Sequence, residues 1–275
     1  MKKRIGIVGE GPTDYLVLKC MIDQITGEEN DYLRIQPEQN MLGEYGNGWK
    51  GVWNWCESTG QNLDKIMKGI SPQIDMIVIQ MDGDVARKEK EVHCRCATVE
   101  CEHKGKVHPL GCETLIDGSC PVDIPCKDHE NTPEGYRSHI THCVLQWLGT
   151  DTERNDIIIT VPCDSTDTWI VAAFDPMEEI EKIQNPWEDI ISRKKDYHGI
   201  RIPGHKKNNR IYQQLIPTLE SHWKQVIDLC DSAKYFEKHI AEYPTAVPIS
   251  KILFGFFSVR TLAITSNVSS IIIGI

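Results

Sequence analysis

Two stretches of the chain end an apolar run on acids. In "IGIVGEGPTD", residues 5 to 14, the run gives way to Glu10 and Asp14; in "DMIVIQMDGD", residues 75 to 84, it gives way to Asp82 and Asp84. Four carboxylates gathered in one small volume cannot all stay ionised unless a cation neutralises them or some take up protons. Hard oxygen ligands on flexible turns favour Mg²⁺ or Mn²⁺ over zinc. The single residue between Asp82 and Asp84 sets both side chains near one ion once the strand has ended, and Gly83 allows the sharp turn this needs. A plainer reading competes. Asp and Gly are common where strands become loops, and in "EGPTD" either Thr13 or Asp14 can cap the helix that follows. Either motif alone reads as structural; the two together, each directly after a strong buried strand, read as a metal site.

For the acids to meet, their strands must be neighbours running the same way. Residues 3 to 9 read as a β-branched strand, and "PTDYLVLKCMIDQI" follows with an apolar face at helical spacing. A second strand lies in "DYLRIQPE", whereas "MLGEYGNGWKGVWNWC", rich in Gly and Trp, is expected to be an ordered loop. "GQNLDKIMKGI" predicts a helix leading into the strand before Asp82. A helix starting near Pro133, the strand "DIIITVP" and the helix "TDTWIVAAF" come next, and the chain stays helical in tendency to about residue 242. Strands alternating with helices predict an α/β fold with a mainly parallel sheet flanked by helices, whose strands open at their carboxyl ends onto one crevice. The expected organisation is a core of residues 1–86 and 133–175, an insert over 87–132, a helical region over 176–245 and an apolar tail over 246–275. Polar residues interrupt the tail too often for it to span a bilayer, and it reads as terminal strands or a docking segment.

The 275 residues, 40% of them hydrophobic, suffice for a substantial core. Forty acidic against thirty basic side chains give a net charge of −10, which repels phosphate backbones at long range and argues against a sequence-blind DNA coat protein. A nucleic-acid enzyme stays open where metal ions or a local basic patch reverse the sign. "MKKRIGIVG" has too few apolar positions for a signal peptide, so a cytoplasmic protein with no membrane association is expected. "RIPGHKKNNRIY", residues 201 to 212, gathers Arg201, His205, Lys206, Lys207 and Arg210, and reads equally as a solvated helix start or as a contact for phosphate. Trp49, Trp53 and Trp55 read as a core edge rather than as platforms for unpaired bases.

Six of the eleven cysteines crowd the insert. Cys94, Cys96, Cys101 and His103 form one conceivable zinc set, and Cys112, Cys120, Cys126 and His129 a second. No pair is spaced Cys-x-x-Cys, so the signal is compositional; in a reducing compartment it favours structural Zn²⁺ over disulfides. Cys20, Cys56, Cys143, Cys163 and Cys230 stand in mostly apolar contexts and read as core residues. A nucleophilic role for Cys163 has no histidine tied to it.

The order and form of the acidic motifs resemble the two signature motifs of the Toprim domain, the metal-binding module of topoisomerases, bacterial primases and OLD-type nucleases. The resemblance is strongest to the small stand-alone Toprim-like proteins of prokaryotic defence loci, in which "EGPTD" is typical. Such proteins also carry a later strand followed by a "Ser-Thr-Glu-Ala-Trp" helix start, to which "VPCDSTDTWIVAAF", residues 161 to 174, is similar, with Asp167 where Glu is usual. The similarity spans roughly residues 3 to 240 and leaves out the tail. It implies a Toprim-like fold in which Glu10, Asp82 and Asp84 hold divalent cations, joined by Asp14, and in which the ions clamp the attacking water and departing oxygen of a phosphodiester. Glu10 is alternatively the general acid or base. Lys207 matches the position of the family's lysine; Asp14, Asp167, Lys206 and Arg210 are the expected substrate contacts. The implied activity is Mg²⁺- or Mn²⁺-dependent cleavage of DNA or RNA in anti-phage defence, with a partner ATPase and possible assembly into oligomers. A chain this short leaves little room for a topoisomerase's tyrosine domain or a primase's template site. Two other readings stand beside hydrolysis of nucleic acid: a non-catalytic sensor or scaffold, and a phosphohydrolase acting on a small phosphorylated substrate.

Overall fold

Four strands, β1 (Arg4–Val8), β2 (Asp31–Gln36), β3 (Met76–Gln80) and β4 (Ile157–Thr160), form one sheet in the order β2-β1-β3-β4, and every neighbouring pair is parallel. The computed structural model describes residues 2–37, 45–69, 71–87, 129–192, 196–202, 204 and 206–243. The insert ligands Cys94, Cys96, Cys101, His103, Cys112, Cys120 and Cys126 and the apolar tail lie outside the described residues.

Strands β1, β3 and β4 are near-continuous apolar runs because a parallel sheet is covered on both faces. Alternation sorts their side chains into two layers. Ile5, Ile7, Met76, Val78 and Ile158 enter one core with the helices α1 (Pro12–Thr26), α5 (Asp167–Phe174), α6 (Pro186–Ser192), α7 (Asn209–Ser221), α8 (Trp223–Leu229) and α9 (Asp231–Glu242). Val8, Ile77, Ile79, Ile157 and Ile159 enter the other with α2 (Trp49–Thr59), α3 (Leu63–Gly69) and α4 (Pro133–Trp147). The fold is therefore α/β, with helices on both faces of a parallel sheet. The expected helical region after residue 175 shares its core with β1 and α1.

Local sequence accounts for the helices that carry the site. Pro12 opens α1 behind the N-cap Gly11, and the buried residues Asp14, Val17, Leu18, Met21 and Ile22 repeat at i, i+3, i+4, i+7 and i+8. The helix stops at Gly27, whose φ of 66° suits glycine. Asn208 starts α7 by accepting the Ile211 N–H at 3.1 Å. One expectation fails. The Trp-rich stretch read as a loop is helical from Trp49 onward, because Val52, Trp55, Cys56 and Thr59 supply a buried helical stripe that begins as soon as Gly48, at φ 68°, has turned the chain. Among the described residues no helix is long and apolar enough to cross a membrane.

Candidate functional site

β1 leads through α1 to β2 on one side, while β3 leads to β4 on the other, so the sheet has its switch point between the carboxyl ends of β1 and β3. Val8 pairs with Ile79, and this register brings the residues that follow each strand together. The Asp82 N–H donates to Glu10 Oε1 at 2.8 Å. Gln80, the last residue of β3 and fully buried, ties the two motifs again: its Oε1 accepts from the Glu10 N–H at 3.1 Å and its Nε2 donates to Asp82 Oδ1 at 2.7 Å. Gly9 leaves the space for this, since a Cβ there would sit 3.0 Å from Gln80 Oε1. Glu10 and Asp82 remain half-buried, and their second oxygens, Oε2 and Oδ2, make no hydrogen bond among the described residues. Asp84 is also half-buried, and its N–H donates to the Asp164 carbonyl at 3.2 Å. Gly83 is required by close approach rather than by a left-handed turn, because its Cβ would lie 2.9 Å from the Pro162 carbonyl oxygen.

The acids raise one another's pKa. Burial of its carboxyl, together with the charges of Asp84 and Asp14, pushes Glu10 up to about 8 despite the Asp82 N–H and Lys207. Burial pushes Asp14 up to about 6, against the Thr166 hydroxyl and Lys207. Asp82 is raised well above the ordinary carboxylate range by burial and by Glu10, Asp14 and Asp84. Lys207 is the basic group that this cluster feels. Burial opposes its charge, but Asp167 and Asp82, then Asp14, outweigh that and raise its pKa.

The third strand end holds its acids differently. Asp167 was expected to touch substrate, and the structure corrects this: its side chain has 0% exposure and is committed to Lys207 Nζ at 2.5 Å and to the Tyr212 hydroxyl, with Ser165 Oγ at 3.3 Å. It positions the lysine. Asp14, likewise expected to meet substrate, is buried and accepts from Thr166 Oγ1 at 2.6 Å; neither it nor Thr13 caps α1, whose N-cap is Gly11 without a side-chain bond. Asp164 lies at φ 64° and is buried 3.3 Å from the Arg87 Nε, while its Oδ2 accepts from the Asn185 N–H at 3.1 Å. Arg87 in turn donates to the carbonyls of Glu181, Lys182 and Ile183, pinning the chain just after Asp84. Lys206 and Arg210 are exposed, and Arg210 lines a cleft of about 480 Å³ with Arg201, Asn208 and Gln214.

Gln80, Thr166, Arg87 and Tyr212 had not been singled out in the sequence. Gln80 was visible as the one polar residue in the run "MIVIQ", but a strand-end glutamine has no signature until its neighbours are known. Cys163 is no nucleophile: its thiol donates to the Glu181 carbonyl at 3.0 Å, and burial pushes its pKa up to about 12. His129, the described member of the second expected zinc set, stacks on His139 at 4.3 Å with Nε2 2.7 Å from the Ala86 carbonyl.

Among the described residues no three His, Cys, Asp or Glu side chains are grouped so as to hold a metal ion. The uncommitted oxygens of Glu10 and Asp82 fit a less demanding cation. Mg²⁺ is commonly held by one or two carboxylates, with waters and substrate phosphates completing its shell. Comparison with protein-family models, curated proteins and solved structures finds no match to this chain.

Proposed function

We propose that the chain is a Toprim-like, divalent-cation-dependent nuclease that hydrolyses phosphodiesters, an effector of anti-phage defence that works with a partner ATPase. One observation carries the chemical part: Glu10 and Asp82 meet at the switch point, joined through Asp82 N–H and Glu10 Oε1 at 2.8 Å, each with an oxygen to spare. Glu10 and Asp82 are the residues whose spare oxygens would hold Mg²⁺ or Mn²⁺, with Asp84 and Asp14 adding negative charge nearby. A cation there supplies Lewis acidity and a more acidic bound water. The protein's own groups do the rest. Glu10 Oε1 is occupied by the Asp82 amide, so a proton taken or given by this residue resides on Oε2. Lys207, steered by buried Asp167, supplies positive charge to a phosphate that the acidic cluster would otherwise repel. The partner ATPase and the defence setting rest on the resemblance of the motifs alone.

The experiment is cleavage of plasmid, single-stranded DNA and transfer RNA with Mg²⁺ or Mn²⁺ by the natural chain and by Glu10→Gln. Glutamine keeps an acceptor for the Asp82 N–H, so the variant folds while losing the carboxylate. Cleavage that survives it removes the proposal. A sensor or scaffold is the second reading, favoured by the net charge of −10 and by the absence, among the described residues, of a grouped three-ligand set. Titration of Mg²⁺ separates the two, because a scaffold has no use for an ion at the strand ends.

A further inference from the structure

We infer that Gln80 is a positioning residue that locks the two acidic motifs into one cation-binding unit. The inference rests on the metal-site reading above and deepens it. Three features single the side chain out. It is fully buried at the end of β3, where a polar group is stable only if its hydrogen bonds are made. Both ends of its amide are used, and each reaches a different motif: Oε1 takes the Glu10 N–H at 3.1 Å, and Nε2 gives to Asp82 Oδ1 at 2.7 Å. The pair of bonds also fixes which way the amide faces, since exchanging its O and N would set an acceptor against the Asp82 oxygen and a donor against the Glu10 N–H. The neighbour Gly9 has no Cβ to crowd it.

The consequence is geometric. With Asp82 N–H on Glu10 Oε1, and Gln80 on both the Glu10 main chain and Asp82 Oδ1, the three residues form a closed set of bonds across two strands. Glu10 is held through its backbone and one oxygen, Asp82 through its backbone and one oxygen. Oε2 and Oδ2 are left in a fixed relation to each other, which is what a cation with few protein ligands requires. Gln80 touches neither ion nor substrate in this account, and acts through the acids it holds.

The test compares the natural chain with Gln80→Met, nearly isosteric and without either bond, and Gln80→Glu, which keeps the acceptor for Glu10 N–H but loses the amide donor to Asp82. Mn²⁺ binding is followed by titration calorimetry and the fold by thermal unfolding. Removal of a residue that orients a ligand typically weakens metal binding about tenfold or more. Gln80→Met is expected to lose that much affinity while remaining folded, and Gln80→Glu to fall below the natural chain as well. Natural affinity in both folded variants overturns the inference. If the natural chain binds no Mn²⁺, the metal reading fails, and the clamp is then judged by hydrogen exchange of the Glu10 amide: faster exchange in Gln80→Met upholds the clamp, and unchanged protection overturns it.

Discussion

Glu10 and Asp82, which follow β1 and β3, and Asp164 and Asp167, which follow β4, live in opposite conditions. Glu10 and Asp82 are half-buried, crowd one another, and each keeps an oxygen without a hydrogen bond among the described residues. Asp164 and Asp167 are almost wholly buried, and each faces a cation, Arg87 at 3.3 Å and Lys207 at 2.5 Å. The first pair has no ion pair of its own among the described residues, and Lys207 only partly offsets its crowding, a state that raises both pKa values and, on the proposed reading, makes a place for a cation. The second pair is already neutralised, and its task is to hold other groups: Asp164 pins the chain beyond Asp84 through Arg87, and Asp167 aims Lys207. An acid at a strand end acquires its role from whether its charge is matched inside the protein.

Swapping the treatment of the two pairs breaks or sharpens this contrast most strongly. Asp82→Asn retains an oxygen for Gln80 and relieves repulsion, so on the proposed reading it lowers cleavage by about a thousandfold, about 4 kcal/mol of barrier, without loss of stability. Asp164→Asn does the reverse. Asparagine tolerates the φ of 64° at this position, so the main cost is an uncompensated buried guanidinium, about 3 kcal/mol in urea unfolding. If Asp82→Asn destabilises the fold as Asp164→Asn does, the first pair is structural after all.

The pH dependence of stability draws the same line with a smaller effect. Glu10 moves from an ordinary 4.5 to about 8 and Asp14 from 3.8 to about 6 in the folded chain. The native state thus holds these protons more tightly than the unfolded chain. Their stabilisation is complete below about pH 4 and is lost as pH rises through the folded values, so cation-free protein becomes less stable between about pH 4 and pH 8. Urea midpoints in EDTA are expected to fall across that window. Glu10→Gln removes the upper part of the fall, and Mg²⁺ is expected to flatten it because the ion replaces the protons. A flat profile for the natural chain in EDTA would mean that the acids are not crowded as described.

How far the sequence foretold this arrangement follows from what is local and what is not. Buried parallel strands announce themselves as apolar runs, as in "MIVIQ" and "IIIT", and acids directly after two such strands must converge if the strands are neighbours. Tryptophans and glycines around Trp49 to Trp55 resemble loop chemistry and hide α2, although Val52, Trp55, Cys56 and Thr59 carry a helical spacing. The Gln80 clamp depends on Glu10, 70 residues away in the chain, and on the exact pairing of Val8 with Ile79, neither of which is written in the segment around Gln80. Asp167 was mistaken for a substrate contact because composition does not reveal that Tyr212 and Lys207 would close over it.

The smallest effect tests how Lys207 is held. Its ammonium is anchored by Asp167, while its main chain precedes Asn208, whose side chain accepts the Ile211 N–H at 3.1 Å and starts α7. Asn208→Ala removes this cap and costs about 1 kcal/mol, a fall of about 2–4 °C in Tm for a domain of this size. If Asp167 is the dominant anchor, kcat stays near that of the natural chain, because the ion pair survives fraying of one helical turn. A fall in kcat well beyond the loss of stability would instead make the helix start the part that aims the lysine, and would move the second acidic pair from controlling Lys207 to merely accompanying it.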